Sequence, residues 1–177
     1  MNLNRLLEEG VNLAKADSIR LEKLIDENPD EVSSRVKLLG YYFQHYMCCE
    51  DSRQLRLRHI IWAIDNPLDI QPPFLHADFI FDRHSYAELK QYWSSKLSEK
   101  ESLIDKLRFA DFVSAEDPDL AIQLYSKAVS SEPLNEDWSH RLQWLSSNRI
   151  DALQNREALL RMPEPDFIAT PCAHSKR

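Results

Sequence analysis

Apolar residues recur along most of this chain at three- and four-residue spacing, which is the period of an amphipathic helix. Phe109, Phe112 and Val113 lie on one side of such a predicted helix. Residues 116–119 end it, because Pro118 lacks an N–H and fits best in the first turn of the next helix. The stripe of that next helix consists of Ala121, Leu124, Tyr125, Ala128 and Val129.

The same pattern predicts helices along the rest of the chain, with a proline-containing loop at 66–73 inside one domain. A chain of 177 residues is long enough to bury a hydrophobic core. We therefore expect a single all-α domain over residues 1–162, followed by a proline-containing, partly disordered tail at 163–177. The other predicted helical or short apolar segments are 3–13, 18–27, 30–47, 55–64, 74–81, 84–97, 138–145 and 150–162.

A pattern of one small residue followed by aromatic and bulky apolar residues occurs three times. Its small residues are Gly40, Ala77 and Ala110, which are about 35 residues apart. In the second helix of the last pair, Ala121, Tyr125 and Ala128 precede Pro133. These residues and spacings resemble the tetratricopeptide repeat (TPR), a helix pair of about 34 residues. The resemblance implies an α-α superhelix, a right-handed solenoid of antiparallel helix pairs with capping helices at its ends.

The TPR resemblance also implies a binding surface, because the first helices of successive pairs line a concave face that binds other proteins. The three aligned motifs place Tyr41, Asp78 and Asp111 at equivalent positions on that face. Neighbouring turns add Lys37, Gln44, Phe81, Asp82 and Ser114. Acidic and aromatic residues stand where the family's peptide-carboxylate clamp uses lysine, arginine and asparagine. We therefore expect a basic or mixed-polarity protein segment as the partner; the alternative is that these are ordinary solvated helix faces.

Composition narrows the possible partners and compartment. The chain has 29 acidic and 22 basic residues, a net charge of −7, which disfavours nucleic acid and anionic membranes and favours a basic partner. The alternative is that this charge only maintains solubility. Two glycines leave no material for a phosphate-binding loop. An odd number of cysteines, three, and the lack of a signal-peptide core or a long apolar run predict a cytoplasmic protein.

Candidate chemistry is sparse. His45, Cys48 and Cys49 share a helix face and His59 could approach them, but no second ligand pair follows, so we expect no metal. His84 and Glu88 also share a face without a recognisable pocket, and no catalytic motif is present, so we expect neither an enzyme nor a cofactor. Four tryptophans fit the helical core, although one of them could be an exposed anchor for a partner.

The sequence therefore favours a protein-interaction adaptor or scaffold. One alternative is an acidic immunity or antitoxin-type inhibitor that blocks the basic active site of a toxin or nuclease. Another is an enzyme with an unrecognised site at residues 74–92. The sequence does not determine the oligomeric state.

Overall fold

The computed structural model describes residues 1–46, 50–66, 68, 72–79, 82–99 and 102–162. Regular secondary structure in these ranges is helical throughout, with eight helices of nine residues or more and one short helix of four residues, α5. The expected all-α fold class is therefore confirmed. Cys48, Cys49, Phe81 and the predicted tail lie outside the described residues. The elements are α1 (Leu3–Val11), α2 (Lys15–Glu27), α3 (Val32–His45), α4 (Glu50–Asp65), α5 (Pro72–Leu75), α6 (Arg83–Glu99), α7 (Leu103–Val113), α8 (Pro118–Ser131) and α9 (Glu136–Leu160).

Side chains just before α8 and α9 fix where these helices begin. The Asp117 carboxylate accepts a hydrogen bond from the Leu120 N–H at 3.0 Å, with Pro118 in the first turn. The Asn135 side chain accepts one from the Trp138 N–H at 3.1 Å. Each bond satisfies an N–H that has no partner within its own helix. The predicted helix start at Pro118 is confirmed.

The chain divides into two compact units, of which the first covers Met1–Ala77 and the second begins at Asp78. In the first unit α1, α2 and α4 all pack on α3, and α5 contacts α3 and α4. In the second unit α6 packs on α7, α7 on α8, and α8 on α9. Helices thus pack mostly against their sequence neighbours, with the α1–α3 pair as an exception. The expected single domain over 1–162 stays a prediction.

The two glycines of the chain lie where α1 and α3 cross. A Cβ atom on Gly10 would stand 2.0 Å from the backbone oxygen of Lys37, and one on Gly40 would stand 2.2 Å from that of Leu7. No side chain fits in either space, so the two backbones touch directly. This close approach places α1 against α3 rather than against α2.

The core of the second unit follows the stripes seen in the sequence. Phe109, Phe112 and Val113 of α7 are buried, and their aromatic rings pack against α6. The Tyr86 ring stacks on Phe112 with their centroids 4.7 Å apart, and the Trp93 ring lies 6.3 Å from that of Phe109. The small residues Ala110, Ala121 and Ala128 are fully buried, as expected for α7 and α8 packed side by side.

Three local predictions are wrong. The repeated motif around Ala77 does not lie on a helix: α5 ends at Leu75 and residues 76–79 are outside any helix, so the repeat period does not pass through Ala77. The helix predicted over 55–64 begins five residues earlier, because α4 starts at Glu50. Residues 138–145 and 150–162, predicted as two helices, belong mostly to α9, a continuous helix of 25 residues. No proline or glycine separates them, and Arg149 in the middle pairs with Asp119 of α8.

Candidate functional site

Three of the eight predicted binding residues lie on α3 in the first unit. Gln44 is exposed, and the Lys37 ammonium pairs with the Glu9 carboxylate at 2.8 Å. Tyr41 is only 4% exposed, and its ring stacks on His45 at 4.4 Å between centroids. The expectation that Tyr41 presents an accessible aromatic ring is therefore wrong, because α3 is covered by α1, α2 and α4.

Asp78 and Asp82 precede α6 in the second unit. Asp78 is exposed, and its carbonyl oxygen accepts a hydrogen bond from the Asp82 N–H at 2.9 Å. Asp82 is 1% exposed, and its carboxylate accepts a hydrogen bond from the Ser85 N–H at 3.3 Å. The carboxylate therefore caps α6 from a buried position, and the expectation that Asp82 lies on an open acidic face is wrong.

Asp111 connects three helices of the second unit. Its carboxylate accepts a hydrogen bond from the Tyr125 hydroxyl of α8 at 3.0 Å and another from Arg141 Nε of α9 at 2.9 Å. Ser114 lies beside it and donates its hydroxyl to the Asp111 carbonyl oxygen at 2.8 Å. Burial, and after it the Asp111 carboxylate, raise the pKa of Tyr125. Asp111 and Ser114 are thus together, but the charge of Asp111 is balanced by Arg141.

Trp144 lies one turn beyond Arg141 on α9. The Arg141 guanidinium carbon is 4.6 Å from the Trp144 ring centroid, which is the geometry of a cation–π contact. Trp144 is nevertheless 54% exposed, whereas Trp93 is 3% exposed. A large aromatic side chain is therefore held in a defined position while much of it faces solvent. We call Asp111, Tyr125, Arg141 and Trp144 the Trp144 surface.

Sequence reasoning missed Arg141 and assigned Trp144 to a helical core stripe. The position of Trp144 around a continuous α9 could have identified it as an exposed residue rather than a core residue. The inward face of that helix passes through Leu142, Leu145 and Arg149, and Trp144 lies well away from it at 100° per residue. Because the sequence was read as two short helices, that comparison was not available.

A second cluster of polar side chains joins α2, α3 and α4 in the first unit. The fully buried His59 is 2.9 Å from the Glu22 carboxylate through Nε2 and 3.5 Å from Arg35 Nη1 through Nδ1. The other Glu22 oxygen accepts a hydrogen bond from Arg58. The Tyr42 ring stacks on His59 at 5.8 Å between centroids, and burial together with the Glu22 carboxylate raises the pKa of its hydroxyl. We call Glu22, Arg35, Tyr42, Arg58 and His59 the His59 cluster.

The surroundings of His59 decide its charge and tautomer. Burial lowers the pKa of His59, the Glu22 carboxylate raises it, and Arg58 and Arg35 lower it, with a net pKa below the ordinary 6.5. Arg35 can only donate, so Nδ1 accepts and Nε2 carries the proton that it donates to Glu22. Burial raises the pKa of Glu22, but its contacts with His59 and Arg58 outweigh that effect and leave it below the ordinary 4.5. The cluster contains no exposed nucleophile, and His59 is inaccessible to solvent, so its geometry is that of a structural network.

The remaining candidate groups show no comparable convergence. His45 Nδ1 lies 2.8 Å from the Tyr41 carbonyl oxygen, and its two neighbouring cysteines are outside the described residues. In the part of the chain that the structure describes, no three metal-binding side chains come together. His84 and Glu88 pair at 2.6 Å, but both side chains are more than a third exposed.

Comparison of the chain with models of protein families, with curated proteins and with solved structures finds no match. None of the described helices is long and apolar enough to cross a bilayer.

Proposed function

We propose that this chain is a protein-interaction module with TPR-like helix pairs, and that it binds a basic or mixed-polarity protein segment at the Trp144 surface. The observation that carries the proposal is the exposed Trp144 ring held by Arg141, which is itself held by Asp111. Tryptophan and arginine are the side chains that most often dominate the energy of protein interfaces. Fixing them before binding reduces the entropy that association costs.

The helix order supports the TPR-like part of the proposal. Helices α7, α8 and α9 pack in sequence, with the small residues Ala121 and Ala128 buried in α8. Asp111 and Arg141 then connect α7 directly to α9. In TPR proteins the first helices of successive pairs are neighbours and line the binding face, and α7 and α9 correspond to two such helices.

Charge supports a basic partner. The whole chain carries a net charge of −7, and the one cation of the Trp144 surface is already paired with Asp111. Acidic proteins attract basic segments during encounter and repel phosphates, and this attraction is screened by salt. A basic segment therefore gains from the surrounding potential, while an acidic segment meets net repulsion.

The proposal is tested with fluorescently labelled peptides of equal length and equal serine content that carry lysine and arginine, glutamate, or no charge. We expect the basic peptide alone to bind, with an affinity that falls as ionic strength rises. Amide chemical-shift changes should be concentrated in α7 and α9. Equal binding of the acidic peptide, or shifts concentrated in the first unit, would contradict the proposal.

A further inference from the structure

Two exposed carboxylates lie on the same side of α9 as Trp144. Asp137 is seven residues before Trp144 and Asp151 seven residues after it, and seven residues are close to two full turns of helix. Both are exposed, and in the described ranges neither makes an ion pair or side-chain hydrogen bond. By contrast, Asp111 and Asp119 pair with arginines of α9. Asp137, Trp144 and Asp151 therefore form a stripe in which two exposed carboxylates, neither in an ion pair within the described residues, lie on either side of an exposed aromatic ring.

The distances along this stripe define what can bind it. At a rise of about 1.5 Å per residue, each carboxylate is displaced from Trp144 by about 10.5 Å along the helix axis. A peptide in the polyproline II conformation advances roughly 3.1 Å per residue with about three residues per turn, so about three of its residues cover that distance and every third side chain faces the same way. A segment lying along α9 would meet Asp137, Trp144 and Asp151 with every third side chain.

The chemistry of the central position favours a planar cation. Trp144 is already in contact with one guanidinium, whose charge Asp111 balances, and its exposed part remains open to a second group. Arginine stacks on aromatic rings better than lysine does, because its guanidinium is planar and weakly hydrated. The flanking carboxylates add attraction for a cation and repulsion for an anion.

We propose that Trp144 receives an arginine side chain of the bound segment, with basic residues three positions before and after it directed to Asp137 and Asp151. This inference rests on the function proposed above and adds the pattern that the segment must carry: basic, two spacers, arginine, two spacers, basic. The segment binds along α9 in the polyproline II conformation, whose turn of about three residues brings all three of these side chains to one face. Its specificity comes from the spacing of its charges as well as from their number.

The test uses the labelled peptide Lys-Ser-Ser-Arg-Ser-Ser-Lys and two matched peptides. One replaces the central arginine by leucine, and the other has the same composition with its three basic residues adjacent. We expect each change to weaken binding roughly fivefold, the size of an exposed cation–π contact or ion pair. Trp144→Ala should weaken the parent peptide by a similar factor and remove the difference between arginine and leucine.

Charge variants provide the second arm. Asp137→Asn with Asp151→Asn should weaken the parent peptide and abolish its advantage over the peptide with adjacent charges. The matched control is Glu99→Gln with Glu157→Gln, which changes net charge equally at exposed positions off the stripe. Circular dichroism and thermal melting establish that each variant is folded before its binding is compared.

The outcomes separate this inference from the proposed function. If the parent peptide and the peptide with adjacent charges bind equally, and if the stripe and control variants have equal effects, the proposed spacing of basic residues is wrong. The chain would then still be a module that binds basic segments. Tighter binding of the leucine peptide overturns the arginine assignment and makes Trp144 an anchor for apolar side chains. If no basic peptide binds the wild-type protein, the proposed function itself fails.

Discussion

Replacing Glu22 by alanine removes the acceptor on which the His59 cluster depends. In the folded protein Glu22 accepts a hydrogen bond from His59 and pairs with Arg58, and thereby ties α2 to α4. The variant leaves the His59 Nε2–H fully buried with no acceptor. Arg58 retains Asp26, 3.4 Å away, as a second partner.

The size of the effect is set mainly by burial. A buried donor that loses its acceptor costs about 1–3 kcal/mol. The ion pair to Arg58 adds little, about 0–1 kcal/mol, because that side chain is 43% exposed and screened by solvent. We therefore expect Glu22→Ala to lower the free energy of unfolding by about 1–4 kcal/mol at neutral pH.

Urea unfolding followed by circular dichroism measures this loss. Glu27→Ala is the matched control, since Glu27 is an exposed residue at the end of the same helix and should leave the stability nearly unchanged. If Glu22→Ala has an effect no larger than that of the control, the His59 cluster does not hold α2 on α4 and the reasoning is refuted.

The pH dependence gives an independent check on the same cluster. His59 is neutral when folded, with a pKa below 6.5, so its contribution is fully present above the unfolded value and is lost as the pH falls towards the folded pKa. Glu22 has a pKa below 4.5, so its contribution is present above that value and lost at lower pH. Wild-type stability should therefore decline from about pH 6.5 downwards. His59→Gln should flatten this first decline, and an unchanged profile would show that His59 titrates freely.

Two further predictions concern close helix packing. Ala110→Leu and Ala121→Leu should each lower the free energy of unfolding by about 1–3 kcal/mol, because both sites are fully buried. Denaturant titration measures this loss. The control is Ala87→Leu at an exposed position of α6, which should leave the stability nearly unchanged. Gly40→Ala should also lower the urea midpoint of unfolding, because the added Cβ would stand 2.2 Å from the Leu7 carbonyl oxygen. This loss should exceed the helix preference of alanine over glycine, which is about 1 kcal/mol. A raised midpoint would show that α1 can move away from α3 at little cost.

The sequence predicted best those features that depend on neighbouring residues. The break before Pro118 is local, and it lies where the side-chain chemistry placed it. The apolar stripe of α7 is likewise buried. The helical period of 3.6 residues and the missing N–H of proline have the same effect in any fold, so they can be recognised from the sequence without tertiary information.

Predictions that required an alignment between distant segments were less successful. Ala77 matched Gly40 and Ala110 in its surroundings, yet it follows the short α5 and is not helical. The His59 cluster was not predicted, since Glu22 and His59 are 37 residues apart and only folding brings them together.

Asp111 shows how a tertiary contact changes a functional argument built on charge. The sequence assigned it to an open acidic face, but its two oxygens are taken by Tyr125 and Arg141. Reversing its charge would place a cation beside Arg141 and break the link between α7 and α9, so the variant would report on folding as much as on binding. By contrast, Asp137 and Asp151 flank Trp144 on α9 and make no ion pair within the described residues. Attraction of a basic partner should therefore be tested on α9, where neutralising an exposed carboxylate alters the potential without removing a contact that holds the helices together.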